Sequence, residues 1–247
     1  MRKNNPLVLR MDDVGASSKK FNVYSKSRIG NFLFLKRIKP FKSWAPYNEI
    51  STEQWKKIID LLCLYNFKLT IAVTASWVDE KNNLIPFPEK FPQQANILKG
   101  AFKNKIIEIA NHGLTHCVVG KHLPRYFTSV RKYHREFWDW IPDDTHRIHL
   151  EKSSKILNEW LGNKIDVFVP PGNVYSAYTV DSLNELNFSM INSSKKLDCN
   201  YKNLKLIDEK NVFAFHDKEI STLGLDWFET ILKKFRLNYK ASFLKEL

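Results

Sequence analysis

The 247-residue chain has few cysteines and no long apolar run, and each absence excludes a class of protein. Its three cysteines, Cys63, Cys117 and Cys199, lie far apart and form no C-x-x-C pair, which favours a reducing compartment over a disulfide scaffold. No segment has the roughly 20 apolar residues that span a bilayer, and the first residues lack the apolar core of about 7–15 residues of a secretory signal. We therefore predict a cytoplasmic protein without a transmembrane segment.

Acidic residues are scarce relative to basic ones. The chain has 26 Asp and Glu against 39 Lys and Arg, which gives a net charge of +13. Such a charge can indicate nucleic-acid binding. However, the basic residues are spread along the chain, and we find no recognition helix, zinc-finger spacing or Arg-rich tail. We predict no nucleic-acid partner, and two interpretations stay open: a solvated basic surface, or a positive field that attracts an anionic substrate.

Strand and helix patterns alternate along most of the chain, without repeats, linkers or composition breaks. Ser51 and Gln54 have the spacing of a capping box and open a helical pattern, and residues 68–74 form a strand pattern after it. Similar alternation continues through residues 93–235, whereas residues 16–48 and 125–144 show no clear pattern. This order predicts parallel strands in one α/β domain over residues 1–247, a (β/α) barrel that is incomplete or distorted.

Three of the apolar strand patterns end in polar groups, which are Asp12-Asp13, the motif from His112 to His116, and His216-Asp217. Parallel α/β folds place their active sites at the carboxyl ends of strands. Two histidines four residues apart can aim both imidazoles at one metal, and Asp13 would be a third ligand. An Asp-His-His set suits Zn²⁺, and also Co²⁺, Mn²⁺ or Ni²⁺.

The other polar residues near these strand ends have two interpretations each. Asp12 either reaches the same cavity as Asp13, because the strand end bends, or it caps a turn or pairs with Arg10. His216 lies where a barrel carries a catalytic group, but an isolated histidine is also typical of a partly buried structural residue. We expect the remaining histidines to lie at the surface: His122, His134, His146 and His149.

The order and spacing of four motifs resemble those of polysaccharide deacetylases, the metal-dependent carbohydrate esterases of family 4. The motifs are Asp12-Asp13, His112-x-x-x-His116, Pro170-Pro171-Gly172 and His216-Asp217. The resemblance spans roughly residues 7–235 and implies a distorted (β/α) barrel of about seven strands. It also implies one divalent metal, with Zn²⁺ ahead of Co²⁺, Mn²⁺ or Ni²⁺, and these roles: Asp12 as general base, His216 as general acid, and Asp13, His112 and His116 as metal ligands.

The implied reaction is removal of an N-acetyl or similar N-acyl group from an amino sugar in a glycan or glycan precursor. An anionic, lipid-linked or nucleotide-linked form of that sugar stays open. The chain departs from the family where Val169 replaces an arginine that orients the base, with Arg10 as a candidate substitute. It is therefore identified as a divergent member. Two alternatives stay open: a deformylase or other C–N amide hydrolase on the same scaffold, and a glycan-binding homologue without catalysis.

Overall fold

Strands and helices alternate in the computed structural model, which describes residues 5–21, 24–25, 42–44, 47–120, 135–194 and 201–247. The helices are α1 (Ser18–Phe21), α2 (Thr52–Tyr65), α3 (Phe87–Lys90), α4 (Pro92–Lys103), α5 (Asp143–Leu161), α6 (Ala177–Glu185), α7 (Asp217–Leu223) and α8 (Leu225–Arg236). The strands are β1 (Pro6–Val14), β2 (Tyr24–Ser25), β3 (Lys42–Trp44), β4 (Leu69–Val73), β5 (Ser76–Val78), β6 (Leu84–Pro86), β7 (Ile107–Asn111), β8 (Val167–Phe168), β9 (Met190–Asn192), β10 (Lys205–Ile207), β11 (Val212–His216) and β12 (Lys240–Ser242). Within these residues, no helix is both long and apolar enough to cross a membrane.

The central sheet contains seven parallel strands in the order β10-β9-β8-β7-β4-β1-β11. The short strand β12 also pairs in parallel with β1, along Pro6 to Val8, and the pairing of β1 with β11 begins at Val8. The sheet curls into a half-barrel with helices around it, which confirms the predicted distorted (β/α) barrel of about seven strands. Because the strands are parallel, their carboxyl ends lie at one edge of the sheet, where β1 carries Asp12 and Asp13 and where β7 and β11 end in Asn111 and His216.

The two faces of the sheet carry different residues because successive side chains of a strand alternate. On β1, Leu9 and Met11 join the large core that α2, α4 and α8 cover, whereas Val8 belongs to a smaller cluster on the other face. Arg10 and Asp12 share that second face with Val8 because they lie two and four positions after it. This second face of β1 therefore carries a buried polar pair, Arg10 and Asp12, towards the carboxyl end of the strand.

The predicted start of α2 is confirmed. Ser51 accepts a hydrogen bond from the Gln54 backbone N–H, and the Gln54 side chain accepts one from the Ser51 backbone N–H. Asn66 ends the helix in the left-handed conformation, at φ +52°. The sequence patterns missed the antiparallel hairpin of β5 and β6, since strands of three residues are too short to show a period.

Candidate metal centre

A backbone distortion at the end of β1 brings Asp12 and Asp13 to the same region. Asp13 has φ +71°, in the left-handed range that non-glycine residues rarely adopt, and the pairing of β1 with β4 shifts register between Met11 and Val14. A regular strand would send the two carboxylates to opposite faces. Both side chains are largely buried. The bend predicted for this strand end is therefore confirmed.

The histidine motif forms a tight loop directly after β7. Gly113 has φ +81° and His116 has φ +65°, so the chain turns back on itself between the two histidines. The buried carboxylate of Glu136 accepts backbone N–H groups from residues 114–116, at 2.8, 3.1 and 2.8 Å. It also lies 2.6 Å from Nδ1 of His149. Glu136 thus fixes the loop that carries both histidines, and no sequence pattern indicated this role because the residue lies in a segment without a clear period.

Asp13, His112 and His116 converge although almost 100 residues separate the aspartate from the histidines. Asp13 Oδ1 lies 2.8 Å from His116 Nε2 and 3.3 Å from His112 Nε2, and one ligand atom from each residue lies within 4.8 Å of the others. Two ligands of a tetrahedral Zn²⁺ with bonds of about 2.0–2.2 Å lie roughly 3.4 Å apart. Among the described residues, this is the one group of three that could hold a metal ion.

The orientation of His112 adds a chemical reason for a cation between these groups. Its Nδ1 lies 2.6 Å from the carbonyl oxygen of Val169, which can only accept, so Nδ1 carries the proton and donates it. In the neutral ring, Nε2 then presents a lone pair to the Asp13 carboxylate, and two acceptors facing each other favour a cation between them. Val169 lacks the arginine side chain of the family, but its backbone orients a candidate ligand.

The protonation states also suit metal binding. Burial would raise the pKa of Asp13, but His116, His112 and His216 outweigh burial and hold that pKa well below its usual range. Burial, assisted by the Arg135 guanidinium, lowers the pKa of His116 to about 4 even though Asp13 acts in the opposite direction. At neutral pH the carboxylate is therefore ionised and the His116 ring is neutral, as metal ligands must be.

Asp12 is held by Arg10 in a bidentate ion pair. Arg10 Nε donates to Asp12 Oδ1 at 2.9 Å, and NH2 donates to Oδ2 at 2.8 Å. Arg10 is only 2% exposed, and it also contacts Asn192 and pairs with Glu209 at 2.9 Å. The structure thus shows the pairing of Asp12 with Arg10, and Asp12 also lies close enough to His216 to raise the pKa of that ring. Arg10 provides the contact to Asp12 that Val169 cannot make.

His216 lies beside Asp12, because the two residues are direct neighbours in the register of β1 and β11. The Glu219 carboxylate accepts the His216 backbone N–H at 2.8 Å and lies 3.7 Å from its Nδ1. Burial disfavours the charged ring, but Glu219, Asp13 and Asp12 outweigh burial and raise the pKa of His216 to about 9. His216 therefore carries a proton at neutral pH.

Asp217 follows His216 but belongs to a different set of contacts. It is fully buried, forms an ion pair with Lys19 and accepts a hydrogen bond from Tyr47 at 2.8 Å. Lys19 also pairs with Glu49 at 2.6 Å. This buried cluster ties α1 and residues 47–49 to the start of α7, so Asp217 anchors the backbone next to His216.

The expected surface position of the other histidines is wrong for His146. That residue is fully buried, and its Nδ1 lies 2.8 Å from Thr179 Oγ1 while its Nε2 lies 3.2 Å from the Trp138 carbonyl oxygen. The sequence pattern of α5 identifies apolar residues at i, i+3 and i+4 as buried. It therefore could not identify a buried histidine. His122 and His134 lie outside the described residues.

Comparison with known proteins gives a consistent picture. The family model described as polysaccharide deacetylase matches residues 42–191, whereas no curated protein matches. A putative polysaccharide deacetylase from Mycobacterium smegmatis has a similar structure, with 12% identity, a TM-score of 0.58, and coverage of 100% of this chain and 89% of that one.

Two Bacillus anthracis structures are also similar. One is a pseudoenzyme of carbohydrate esterase family 4, with 13% identity, a TM-score of 0.52, and coverage of 99% of this chain. The other is a family 4 carbohydrate esterase, with 14% identity, a TM-score of 0.50, and coverage of 99% of this chain and 82% of that one. This chain spans 65% of the length of the pseudoenzyme. These identities support the fold alone, but the family model matches more than half of the sequence, and the chain therefore belongs to the polysaccharide deacetylase family.

Proposed function

We propose that this protein is a metal-dependent deacetylase that hydrolyses an N-acetyl, or similar N-acyl, group of an amino sugar in a glycan or glycan precursor. The observation that carries the proposal is the convergence of Asp13, His112 and His116 next to Asp12 and His216. The first three offer a set of metal ligands, and the last two offer a carboxylate held by Arg10 and a protonated imidazole on adjacent strands. Amide hydrolysis needs these groups together.

Asp13, His112 and His116 would hold one divalent ion, Zn²⁺ ahead of Co²⁺, Mn²⁺ or Ni²⁺. When bound, such an ion polarises the acyl carbonyl group and lowers the pKa of water towards about 7. Asp12 accepts the proton of the attacking water, and the two hydrogen bonds from Arg10 hold its carboxylate in place. The carboxylate of Asp12 thus receives the proton in the orientation that Arg10 already gives it.

His216 supplies the acid that the reaction requires. An amine leaves poorly as an anion, so its nitrogen must receive a proton as the C–N bond breaks. His216 holds that proton at neutral pH because of Glu219 and the two aspartates. The proposed base and acid thus act from neighbouring strands, Asp12 from β1 and His216 from β11.

Three finer statements stay predictions. A single catalytic domain over residues 1–247, a cytoplasmic location, and an anionic, lipid-linked or nucleotide-linked substrate are supported by sequence composition alone. A cytoplasmic location would favour a biosynthetic intermediate over a finished wall polymer as substrate. The absence of a nucleic-acid partner also stays a prediction.

The pseudoenzyme among the similar structures makes a glycan-binding homologue without catalysis the second candidate. The same pseudoenzyme is also known as a mutant with restored enzymatic activity. The intact set of Asp12, Asp13, His112, His116 and His216 in this chain favours catalysis over binding alone. A deformylase on the same scaffold would use the same residues, and only substrate comparison separates it.

The test combines elemental analysis with turnover. Purified wild-type protein, Asp13→Asn and His112→Ala are compared with Asp60→Asn, a matched change on the exposed side of α2. We expect about one divalent metal per chain in wild type and Asp60→Asn, and its loss in the two site variants. Acetate release from N-acetylated sugars, against formate release from N-formylated ones, identifies the acyl group. Bound metal without any turnover would favour the binding homologue, and absence of metal would overturn both.

A further inference from the structure

Arg135 places a positive charge directly against the candidate metal centre. Its NH1 lies 3.0 Å from both ring nitrogens of His116, and its backbone forms an antiparallel bridge with Cys117. A Cβ atom on Gly172, which has φ +61°, would lie 2.6 Å from Arg135 Nε. The glycine of the Pro170-Pro171-Gly172 motif therefore leaves the space that the guanidinium fills.

Among the described residues, no carboxylate lies within ion-pair distance of Arg135. The adjacent Glu136 is occupied by three backbone N–H groups and His149. Outside the described residues, Asp198 is the single acidic residue of the sequence. A guanidinium beside a cation site repels that cation, so an additional anion would relieve the repulsion.

The distribution of charged residues in the sequence also favours an anionic ligand. Two segments of the sequence contain no Asp or Glu: residues 22–46, which come after β1, and residues 121–134, which come after β7 and the histidine motif. They contain six and four basic residues: Lys26, Arg28, Lys36, Arg37, Lys39 and Lys42; and Lys121, Arg125, Arg131 and Lys132. These segments hold most of the net charge of +13. A positive net charge of this size favours association with anions.

We infer that Arg135 is a specificity-determining residue that binds a carboxylate or phosphate group of the acylated amino sugar. The inference rests on the proposed function, because it concerns the substrate of the same site. A guanidinium presents paired N–H donors that match the oxygens of either anion. Its contact with His116 sets the position of the anion next to the acyl amine, so the substrate class is an acidic amino sugar.

The experiment compares three N-acetylated substrates: neutral N-acetylglucosamine oligomers, N-acetylmuramic acid, which carries a carboxylate, and N-acetylglucosamine 1-phosphate. Wild type is compared with Arg135→Gln, Arg135→Lys and Arg147→Gln, a matched loss of charge on the exposed face of α5. We expect wild type to favour one of the anionic substrates at least tenfold in kcat/KM, with the preference weakening as salt rises. Arg135→Gln should lose that preference through KM, Arg135→Lys should restore part of it, and Arg147→Gln should match wild type.

Elemental analysis and calorimetric binding of the same three ligands give readouts independent of turnover. We expect unchanged metal content in Arg135→Gln and loss of its preference for the anionic ligand. An equal loss for all three substrates, or a neutral ligand preferred by wild type, would overturn the role of Arg135 while the deacetylase function stands. Turnover of none of the substrates, with anion binding that depends on Arg135, would overturn the deacetylase function and keep the anion site.

Discussion

Arg10 and Asp12 show how the spacing of two residues on one strand can create a positioning contact. Their side chains leave the same face of β1 because they are two positions apart, and both nitrogens of the guanidinium edge reach the carboxylate. The same guanidinium contacts Asn192 at the end of β9 and Glu209 just before β11. Asp12, the proposed base, is therefore held by a residue that is itself fixed by two other parts of the barrel.

We predict that Arg10→Lys lowers kcat by about 10- to 100-fold with little change in KM. Lysine keeps the positive charge but loses the planar fork, so Asp12, the proposed base, keeps a cationic neighbour and loses its orientation. Steady-state kinetics measure the effect, and elemental analysis checks that metal content is unchanged. Arg236→Lys at the end of α8 is the matched control. A variant with wild-type kcat would show that Arg10 serves stability alone.

A second prediction concerns the proton of His216. Its pKa is raised to about 9, so the ring holds the proton of the proposed acid below that value and loses it as the pH rises through it. A divalent ion on Asp13 would cancel part of the effect of that carboxylate, and the alkaline limb of kcat should therefore lie at or below pH of about 9.

We predict that Glu219→Gln moves this alkaline limb about one pH unit towards acid, the size expected for loss of one charge-assisted contact. Glutamine can still accept the His216 backbone N–H, so the start of α7 is kept. The pH–rate profile measures the shift, with Glu229→Gln on α8 as the control. An unmoved limb, or one moved towards alkali, would mean that Glu219 does not set the charge of His216.

At this scale, the sequence could predict only residues with a local signal. Asp13, His112 and His116 come from short motifs at strand ends, and the structure brings them together. Glu136, Glu219 and Arg135 carry no such signal, because their contacts depend on backbone turns and on chain segments that meet only after folding. His146 is a similar case, since its buried partners lie on α6 and in the turn before α5.

Among the elements, the loop from His112 to His116 depends most on one glycine. A Cβ atom on Gly113 would collide with the Glu136 carboxylate and lie 2.9 Å from Phe137 Cε2, and φ is +81° there. Gly100 on α4 provides the contrast, because nothing lies within 4 Å of the position that a Cβ atom would take there and its backbone is helical. The same substitution should therefore have opposite effects at these two sites.

We predict that Gly113→Ala lowers the free energy of unfolding by at least about 1–3 kcal/mol, the usual cost of a strained conformation, and reduces metal content. Gly100→Ala should raise that free energy by about 0.5–1 kcal/mol, because alanine favours the helix and restricts the unfolded chain. Urea unfolding followed by circular dichroism measures both. Equal effects of the two substitutions would contradict the role assigned to the Glu136 contact.

The longer elements were predictable because their sequence signals are local. The capping box and the left-handed Asn66 define α2, and Gly162 ends α5 at φ +72°. The short elements β5, β6 and β12 were not, since pairing with a neighbour rather than residue pattern makes them strands. The distortion at Asp13 lies between these cases: adjacent carboxylates suggested a bend, but the register shift against β4 depends on the sheet.

For the molecule as a whole, alternation of strands and helices was enough to predict a parallel barrel. Consecutive parallel strands need a crossover connection, which is usually a helix. The strand order β10-β9-β8-β7-β4-β1-β11 places the first strand next to the last long one. The pairing of β1 with β11 brings Asp12 beside His216, although the two residues lie towards opposite ends of the sequence. The site is therefore a property of the whole fold, and metal binding should stabilise the whole fold.

We predict that a divalent ion raises the melting temperature of the protein. An ion at 100 times its Kd adds about 2.7 kcal/mol to the folded state, which for a chain of this size corresponds to an increase of roughly 5–10 °C. A chelator should reverse the increase. The increase in melting temperature depends on ligands from both β1 and the loop after β7. A fragment that contains only one of these two elements should therefore show no increase.

Differential scanning calorimetry of the chelated and Zn²⁺-loaded protein measures this shift. His116→Ala should abolish it, because the neutral ring of His116 is one of three ligands. Asp60→Asn should show the full wild-type shift, because it lies on the exposed side of α2. A shift of equal size in His116→Ala and wild type would place the bound ion elsewhere on the molecule, and the Asp13, His112 and His116 cluster would then lose its role as the metal centre.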